Sequence, residues 1–233
     1  MKQTINTTVR KSMSYAKGLL SASLCILFLS GCEHMGDLDD IIKDGDDDKD
    51  KEMKYTAYLS PLNNSGVTGT AKIMMKEDGK FQVIVEASNM VPNMVHPQHI
   101  HGFVMEDKNA TCPDPSAAGE DGLLTLADGL PAYGPVIVPL DDQLVPLSVE
   151  NFPNANAGGN LSYVEKVDTR ALVSAFDAAY EGTQTMANLK LDKRVIVLHG
   201  AYVKDNMVVP AGTEGAEYIA TLPVACGEIV EKH

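Results

Sequence analysis

The chain has 233 residues, 44% of them apolar, and is therefore long enough for one large domain or two small ones with a sizeable core. Its 19 glycines and 12 prolines favour strands and turns over a helical bundle. A formal net charge of −13 excludes nucleic acid as a partner, because phosphate binding requires clustered Lys and Arg.

Residues 1–31 have the order of a secretory signal: four basic residues, an apolar run from Gly18 to Leu29, then small residues. The apolar run is too short to span a bilayer core of ~30 Å as a helix. The sequence Leu29-Ser30-Gly31-Cys32 resembles the bacterial lipobox, which implies that Cys32 is lipidated after cleavage before it. The alternative is an ordinary signal that precedes a cysteine. Two or more acyl chains would anchor the protein in a lipid bilayer of the bacterial cell envelope, on its periplasmic or outer surface.

Residues 32–52 are predicted to be an extended, solvated tether. From Glu33 to Glu52 the segment has ten acidic residues and three lysines, and such composition cannot form a core. The alternating Asp44, Asp46 and Asp48 also match the start of a calcium loop, but Lys49 stands where that loop needs Gly. The tether is therefore preferred, and residues 53–233 form the predicted domain.

This domain is predicted to be all-β, because short apolar stretches alternate with period two between Gly, Pro and Asn turns. Asp78-Gly79 predicts a hairpin. Residues 169–181 show helical spacing and predict one short helical insertion. The predicted strands are 55–59, 69–75, 81–87, 99–105, 135–140, 161–164, 194–202 and 217–222.

A long loop is predicted from Glu106 to Tyr133, and long ordered loops in compact domains are often functional. Its acids Asp114, Glu120 and Asp121 either hold a calcium ion or face water.

The cysteines predict one disulfide. Cys25 leaves with the signal and Cys32 carries lipid, so that Cys112 and Cys226 remain as an even pair outside the cytoplasm. We expect these two to be bonded to each other; the alternative is two free buried thiols.

Three histidines predict a metal site. His99 and His101 lie two apart on a predicted strand and therefore project from the same face. His199 ends the apolar strand 195–198, where a polar ring is unexpected. Imidazoles in such an arrangement favour copper or zinc. The alternative is that these rings only pack in the core or at its rim.

Two families that contain a His-x-His pair fit poorly. Cupins add a Glu, for which Glu106 is available, but they place an Asn after the last His where Val203 stands here. Carbonic anhydrases need a far larger sheet.

A third family fits better over about residues 90–229. The segment 96–101, His-Pro-Gln-His-Ile-His, resembles the copper-binding strand of copper/zinc superoxide dismutases. The segments 194–199 and 225–229, Arg-Val-Ile-Val-Leu-His and Ala-Cys-Gly-Glu-Ile, are similar to later strands of that family, and Cys112 stands near the position of the partner half-cystine.

This resemblance implies an immunoglobulin-like Greek-key β-sandwich or barrel with copper at His99, His101 and His199. His96 is structural in the family, and we keep it and Glu106 as additional candidate ligands. Zinc could take the place of copper.

The chain also departs from the family. Ala118 stands where the bridging His is expected, Val203 replaces an outer-shell Asp and Pro223 replaces the Arg that guides superoxide; the zinc half-site is missing. Residues 53–233 hold 12 basic and 22 acidic side chains, a net charge of −10, which opposes the steering of an anion. The His-x-His pair and Gly134-Pro135-Val136 also resemble the secreted CHRD-type domains.

Two functions follow. The first is a copper-binding, superoxide dismutase-like envelope lipoprotein without the zinc half-site, which dismutates superoxide weakly or holds copper. The alternative is a non-catalytic CHRD-type binding module exposed at the cell surface. The sequence leaves open whether the protein is an enzyme.

Overall fold

The computed structural model describes residues 52–77, 79–106, 108–180 and 185–233. The predicted signal segment 1–31, nearly all of the tether 32–52, the lipidation site Cys32 and the acids Asp44, Asp46 and Asp48 lie outside the described residues. Within the described residues no helix is long and apolar enough to cross a membrane.

The described chain is an antiparallel β-structure, as predicted. Alternating apolar residues place one face of each strand in the core, and turn residues end the strands. The strands are β1 (Met53–Pro61), β2 (Thr68–Met75), β3 (Lys80–Ser88), β4 (Gln98–His101), β5 (Val136–Pro139), β6 (Leu161–Asp168), β7 (Val195–Lys204), β8 (Met207–Val209) and β9 (Glu217–Lys232).

One half of the sheet is a set of regular ladders in the order β1-β2-β3-β6. β2 and β3 form the predicted hairpin, in which the Lys76 N–H donates to the Lys80 carbonyl at 3.2 Å. Residues two apart on β3, such as Phe81, Val83 and Val85, are fully buried, while their neighbours face outward. This strict alternation is typical of a sheet with one solvated face.

The other half has the order β5-β4-β7-β9, and β8 pairs with β7. β9 pairs with both β7 and β1 and thereby joins the two halves into one curled sheet. The connections β3–β4, β5–β6 and β6–β7 cross between the halves, as in the predicted Greek-key class. The main core lies between the inward faces of both halves.

Strands β4 and β7 are covered on both faces. Ile100, Ile196 and Leu198 belong to the main core. Val195 and Val197 belong to a second buried cluster on the opposite face, together with Tyr133 and Cys226. The segment 102–133, of which residues 106–133 were predicted as a loop, supplies much of that cover, and for this reason the first seven residues of β7 are all buried.

The predicted disulfide is confirmed: Cys112 and Cys226 are bonded, with an S–S distance of 2.01 Å and a separation of 114 residues. The bond attaches the covering segment to β9.

The helices require one correction. The predicted helix from residue 169 is confirmed as α2 (Thr169–Ala179), which buries Leu172 and Phe176. It is not the only helix, because α1 (Leu126–Tyr133) lies within the predicted loop 106–133 and α3 (Met186–Leu189) follows α2. α1 begins with a capping box: Thr125 accepts from the Asp128 N–H, and the Asp128 carboxylate accepts from the Thr125 N–H. Short 3-10 helices cover Pro115–Ala117 and Leu191–Lys193.

Strand bounds also differ from the predicted ones. β4 ends at His101 rather than at residue 105, because Arg194 packs against Gly102 and donates to the Phe103 carbonyl at 3.2 Å. β6 and β9 run longer than predicted, to Asp168 and Lys232, and β8 was not predicted.

Candidate metal centre

The three predicted histidines meet on the outer face of strands β4 and β7. His99 lies opposite Val197, and His101 lies opposite Val195. His199 is two residues beyond Val197 on β7, and its N–H donates to the Pro97 carbonyl at 2.8 Å. The alternation of strand side chains therefore brings His99, His101 and His199 to one side of the sheet.

The geometry of this group fits a single ion. One ring nitrogen from each histidine lies within 4.8 Å of the others. The ring centroids are 5.2 to 6.0 Å apart, and the ring planes are inclined to one another by 40° to 85°, so the rings are not stacked. The side chains of His99, His101 and His199 are only 9%, 0% and 1% exposed.

Backbone carbonyls orient two of the rings. The Nδ1–H of His101 donates to the Gly134 carbonyl, and the Nδ1–H of His199 donates to the Thr221 carbonyl, both at 2.9 Å. A carbonyl oxygen only accepts, so each Nδ1 carries the proton. The lone pair of each ring is then on Nε2, as a metal ligand requires.

Three buried ring nitrogens are left without hydrogen bonds. Nδ1 of His99 and Nε2 of His101 and His199 have no hydrogen-bond partner among the described residues. A buried polar atom without a partner costs about 1–3 kcal/mol. A cation bound between the rings would remove this cost at all three atoms, so the donor set fits a metal ion.

Burial also keeps the rings neutral. It lowers the pKa of His99 to about 2, with further lowering by His199 and His101. It lowers the pKa of His101 to about 4, although the bond to the Gly134 carbonyl opposes this. It lowers the pKa of His199 to about 3. Neutral imidazoles at pH 7 are able to bind a metal without first losing a proton.

Two aromatic rings enclose the group. Tyr133, at the end of α1, is fully buried; its ring centroid lies 4.6 Å from that of His101, and its hydroxyl donates to the Leu126 carbonyl. Phe152 meets the edge of His99, with centroids 5.1 Å apart and planes at 82°. Neither residue was predicted as part of the site, since an aromatic residue outside the predicted strands has no distinctive sequence pattern.

The two additional candidate ligands lie outside the group. His96 is buried, but its Nδ1 is 2.9 Å from the His199 carbonyl oxygen and its Nε2 is 3.0 Å from that of Val91. Both of its nitrogens therefore face backbone oxygens, which fits a structural residue. Glu106 is exposed and does not belong to the metal-ligand group.

The acids of the segment 106–133 do not form a metal-ligand group among the described residues. Asp114 accepts from the Ser116 N–H at 2.8 Å, and Asp121 accepts from the Leu123 N–H at 3.0 Å. Glu120 is exposed.

The positions that depart from the dismutase pattern hold apolar residues. Ala118 and Val203 are partly buried and pack against the second cluster and the main core, respectively. Pro223 is buried on β9 directly opposite His199. These three side chains offer no ligand atom and no charge.

Comparisons with known proteins give a weak structural similarity. No family model matches the chain, and no curated protein matches it. Among solved structures, it is similar to the Cu(II) form of superoxide dismutase 5 from Candida albicans, with 15% identity, a TM-score of 0.35, and coverage of 78% of this chain and 94% of that one. Two point mutants of the same protein match with 15% and 17% identity, TM-scores of 0.35 and 0.33, and coverage of 78% of this chain and 93% and 95% of theirs.

Proposed function

We propose that this protein is a copper-binding lipoprotein of the bacterial cell envelope that holds one copper ion at His99, His101 and His199. The observation that carries the proposal is the convergence of three buried ring nitrogens that lack hydrogen-bond partners among the described residues. Rings that only packed in a core would be expected to pair these atoms with backbone or side-chain groups.

The chemistry of the donor set favours copper. Three neutral imidazoles suit copper and zinc, and of these two ions copper binds more strongly to a given nitrogen site. Copper held by imidazoles exchanges one electron and keeps room for a further small ligand. Zinc is the alternative ion.

Holding copper is favoured over rapid dismutation of superoxide. Superoxide is an anion, and fast capture of an anion requires a positive potential near the site. The domain carries a net charge of −10, and the buried Pro223 takes the place of a guiding Arg. Arg194, five residues before His199, directs its guanidinium to the carbonyls of Leu189, Phe103 and Asn188. Any dismutation by this protein is therefore expected to be slow.

The location rests on the lipobox-like sequence at Cys32 and on the disulfide. A bonded Cys112–Cys226 pair is typical of proteins outside the reducing cytoplasm. The acidic tether would hold the domain away from the membrane surface. The location is tested by metabolic labelling with a palmitate analogue, which is expected to label the wild-type chain and not a Cys32→Ser variant.

The function is tested on a secreted Cys32→Ser protein equilibrated with Cu(II) and Zn(II) and then desalted. Metal analysis should find one copper per chain, lost in His99→Ala and His199→Ala and retained in His233→Ala, which removes the exposed terminal histidine. A measurement of superoxide consumption by the copper-loaded protein then distinguishes a protein that only holds copper from one that dismutates superoxide. A protein that retains neither ion would contradict the proposal and favour the non-catalytic binding module.

A further inference from the structure

Access to the histidine group differs from ring to ring. His101 is fully buried beneath Tyr133, and His199 is 1% exposed. His99 is 9% exposed and is the most open of the three. A ligand or a metal ion from solvent therefore meets the group at the His99 ring.

Phe152 contacts the His99 ring, the most exposed of the three. Its ring meets His99 edge to face, with centroids 5.1 Å apart, and is itself half-buried. The positioning of Phe152 is not explained by the main core, because Phe152 does not belong to either hydrophobic cluster of the described residues.

The backbone around Phe152 is fixed to the segment that precedes β4. The Pro153 carbonyl accepts from the His96 N–H at 2.8 Å, and the Ala155 N–H donates to the Met94 carbonyl at 3.1 Å. Val95 and Asn154 form a β-bridge between these two bonds. With the backbone held, movement of Phe152 away from His99 reduces to rotation of its side chain, which is fast compared with loop motion.

We propose that Phe152 is the gate of the histidine site and determines which solutes reach it. Rotation of the ring admits small ligands to His99, and the ring at rest excludes bulky reagents such as chelators. This inference rests on the proposed function for the identity of the bound ion, but not for the gate itself. Phe152 acts through access alone, since it offers no ligand atom.

The gate is tested first on the metal-free protein, with diethyl pyrocarbonate at pH 7 and site-by-site mass spectrometry. Removal of an edge-to-face ring contact should expose His99 about tenfold more often, so Phe152→Ala should raise its modification rate by about that factor. Phe152→Leu should give an intermediate rate. The exposed His233 is the internal reference, and Val149→Ala, which shortens a 65% exposed side chain in the same loop, is the matched control.

The second test uses the copper-loaded protein. Extraction of Cu(II) by excess EDTA, followed by optical absorption, should accelerate in the same order, with Val149→Ala at the wild-type rate. Equal modification and extraction rates in wild type, Phe152→Leu and Phe152→Ala would overturn the gate. If no copper binds but His99 modification accelerates in Phe152→Ala, the proposed function fails while the gate stands.

Discussion

The two halves of the sheet differ in regularity and in what they bury. The ladders β1–β2, β2–β3 and β3–β6 run without a register shift over the described residues, and they bury one apolar face. In the histidine half the register shifts at His101 in the β4–β5 pair and on both sides of His199 in the β7–β9 pair. β4 is buried on both faces, and three of its four buried residues are polar: Gln98, His99 and His101.

The regular half is therefore the scaffold of the domain, and the histidine half holds the candidate metal site. The regular half obtains its stability from apolar burial, which does not depend on pH or on a ligand. The histidine half buries imidazole nitrogens that have no hydrogen-bond partner among the described residues, which lowers its free energy of unfolding. An ion bound to these nitrogens would raise that free energy again. Irregular register next to a functional side chain is a common feature of such sites.

The largest effect is expected from a cavity in the regular half. Phe81 is fully buried on β3, and Phe81→Ala should lower the free energy of unfolding by about 3–5 kcal/mol. Urea denaturation measures this loss. Val164→Ala, at a 53% exposed position on the neighbouring β6, should change stability by less than about 0.5 kcal/mol. Metal stoichiometry should stay the same in both variants, and a loss of copper in folded Phe81→Ala would contradict the separation of scaffold and site.

The next effect follows from the proposed function: a copper ion bound by the three histidines should stabilise the histidine half. At a free copper concentration about 100 times the Kd, binding should raise the free energy of unfolding by about 2.7 kcal/mol. His199→Leu should abolish this gain, because the fully buried ring supplies one of the three nitrogens. Thermal melts with and without copper measure the effect, and a gain that persists in His199→Leu would show that copper stabilises the fold from another place.

Acid should destabilise the metal-free histidine half. The pKa of His101 falls from 6.5 to about 4 on folding, so below pH 6.5 the unfolded chain takes up a proton that the folded chain does not. The contribution of His101 to the free energy of unfolding is therefore fully present above pH 6.5 and is lost as the pH falls toward 4.

Between pH 6.5 and 5 the contribution of one such ring changes by about 1.6 kcal/mol. When the pH is lowered from 6.5 to 5, the free energy of unfolding of metal-free His101→Leu should accordingly fall less than that of the wild type, by roughly this amount. Urea denaturation at the two pH values provides the comparison, and identical losses would mean that His101 is protonated in the folded state.

The smallest effect is expected where the halves are joined. The Asn63 side chain donates to the carbonyls of Leu124 and Pro223 at 2.8 and 2.9 Å and accepts from the Leu124 N–H at 2.8 Å. Asn63→Ala should cost about 1–2 kcal/mol of unfolding free energy. Since Asn63 has a φ of 54°, Asn63→Gly removes the bonds without backbone strain and should cost less than Asn63→Ala. A larger loss in Asn63→Gly would contradict this assignment.

The regular half could be predicted from sequence because alternation and turn residues act locally. Asp78-Gly79 and the alternating residues 81–87 indicate the β2–β3 hairpin directly. Members of the histidine group could also be predicted, because the spacing of His99 and His101 alone places them on the same face of a strand.

Features set by distant contacts could not be predicted. β4 ends early because of Arg194, which is 92 residues away from Gly102 in the chain. α1 contains Gly129 and Pro131, which favour a loop locally, although the Thr125–Asp128 capping box could have indicated it. The carbonyls that orient His101 and His199 carry no sequence signal, since every residue has one.

The backbone carbonyls that orient His101 and His199 affect how the site tolerates mutation. The groups that fix the tautomers of His101 and His199 belong to the main chain at Gly134 and Thr221, so no single replacement of a side chain deletes them. Thr221 is exposed, and many residues at that position would leave the acceptor in place. Gly134 is different: its φ is 77°, and a Cβ there would lie 2.8 Å from the Gly102 oxygen. Substitutions should accordingly be tolerated at Thr221 and almost completely excluded at Gly134.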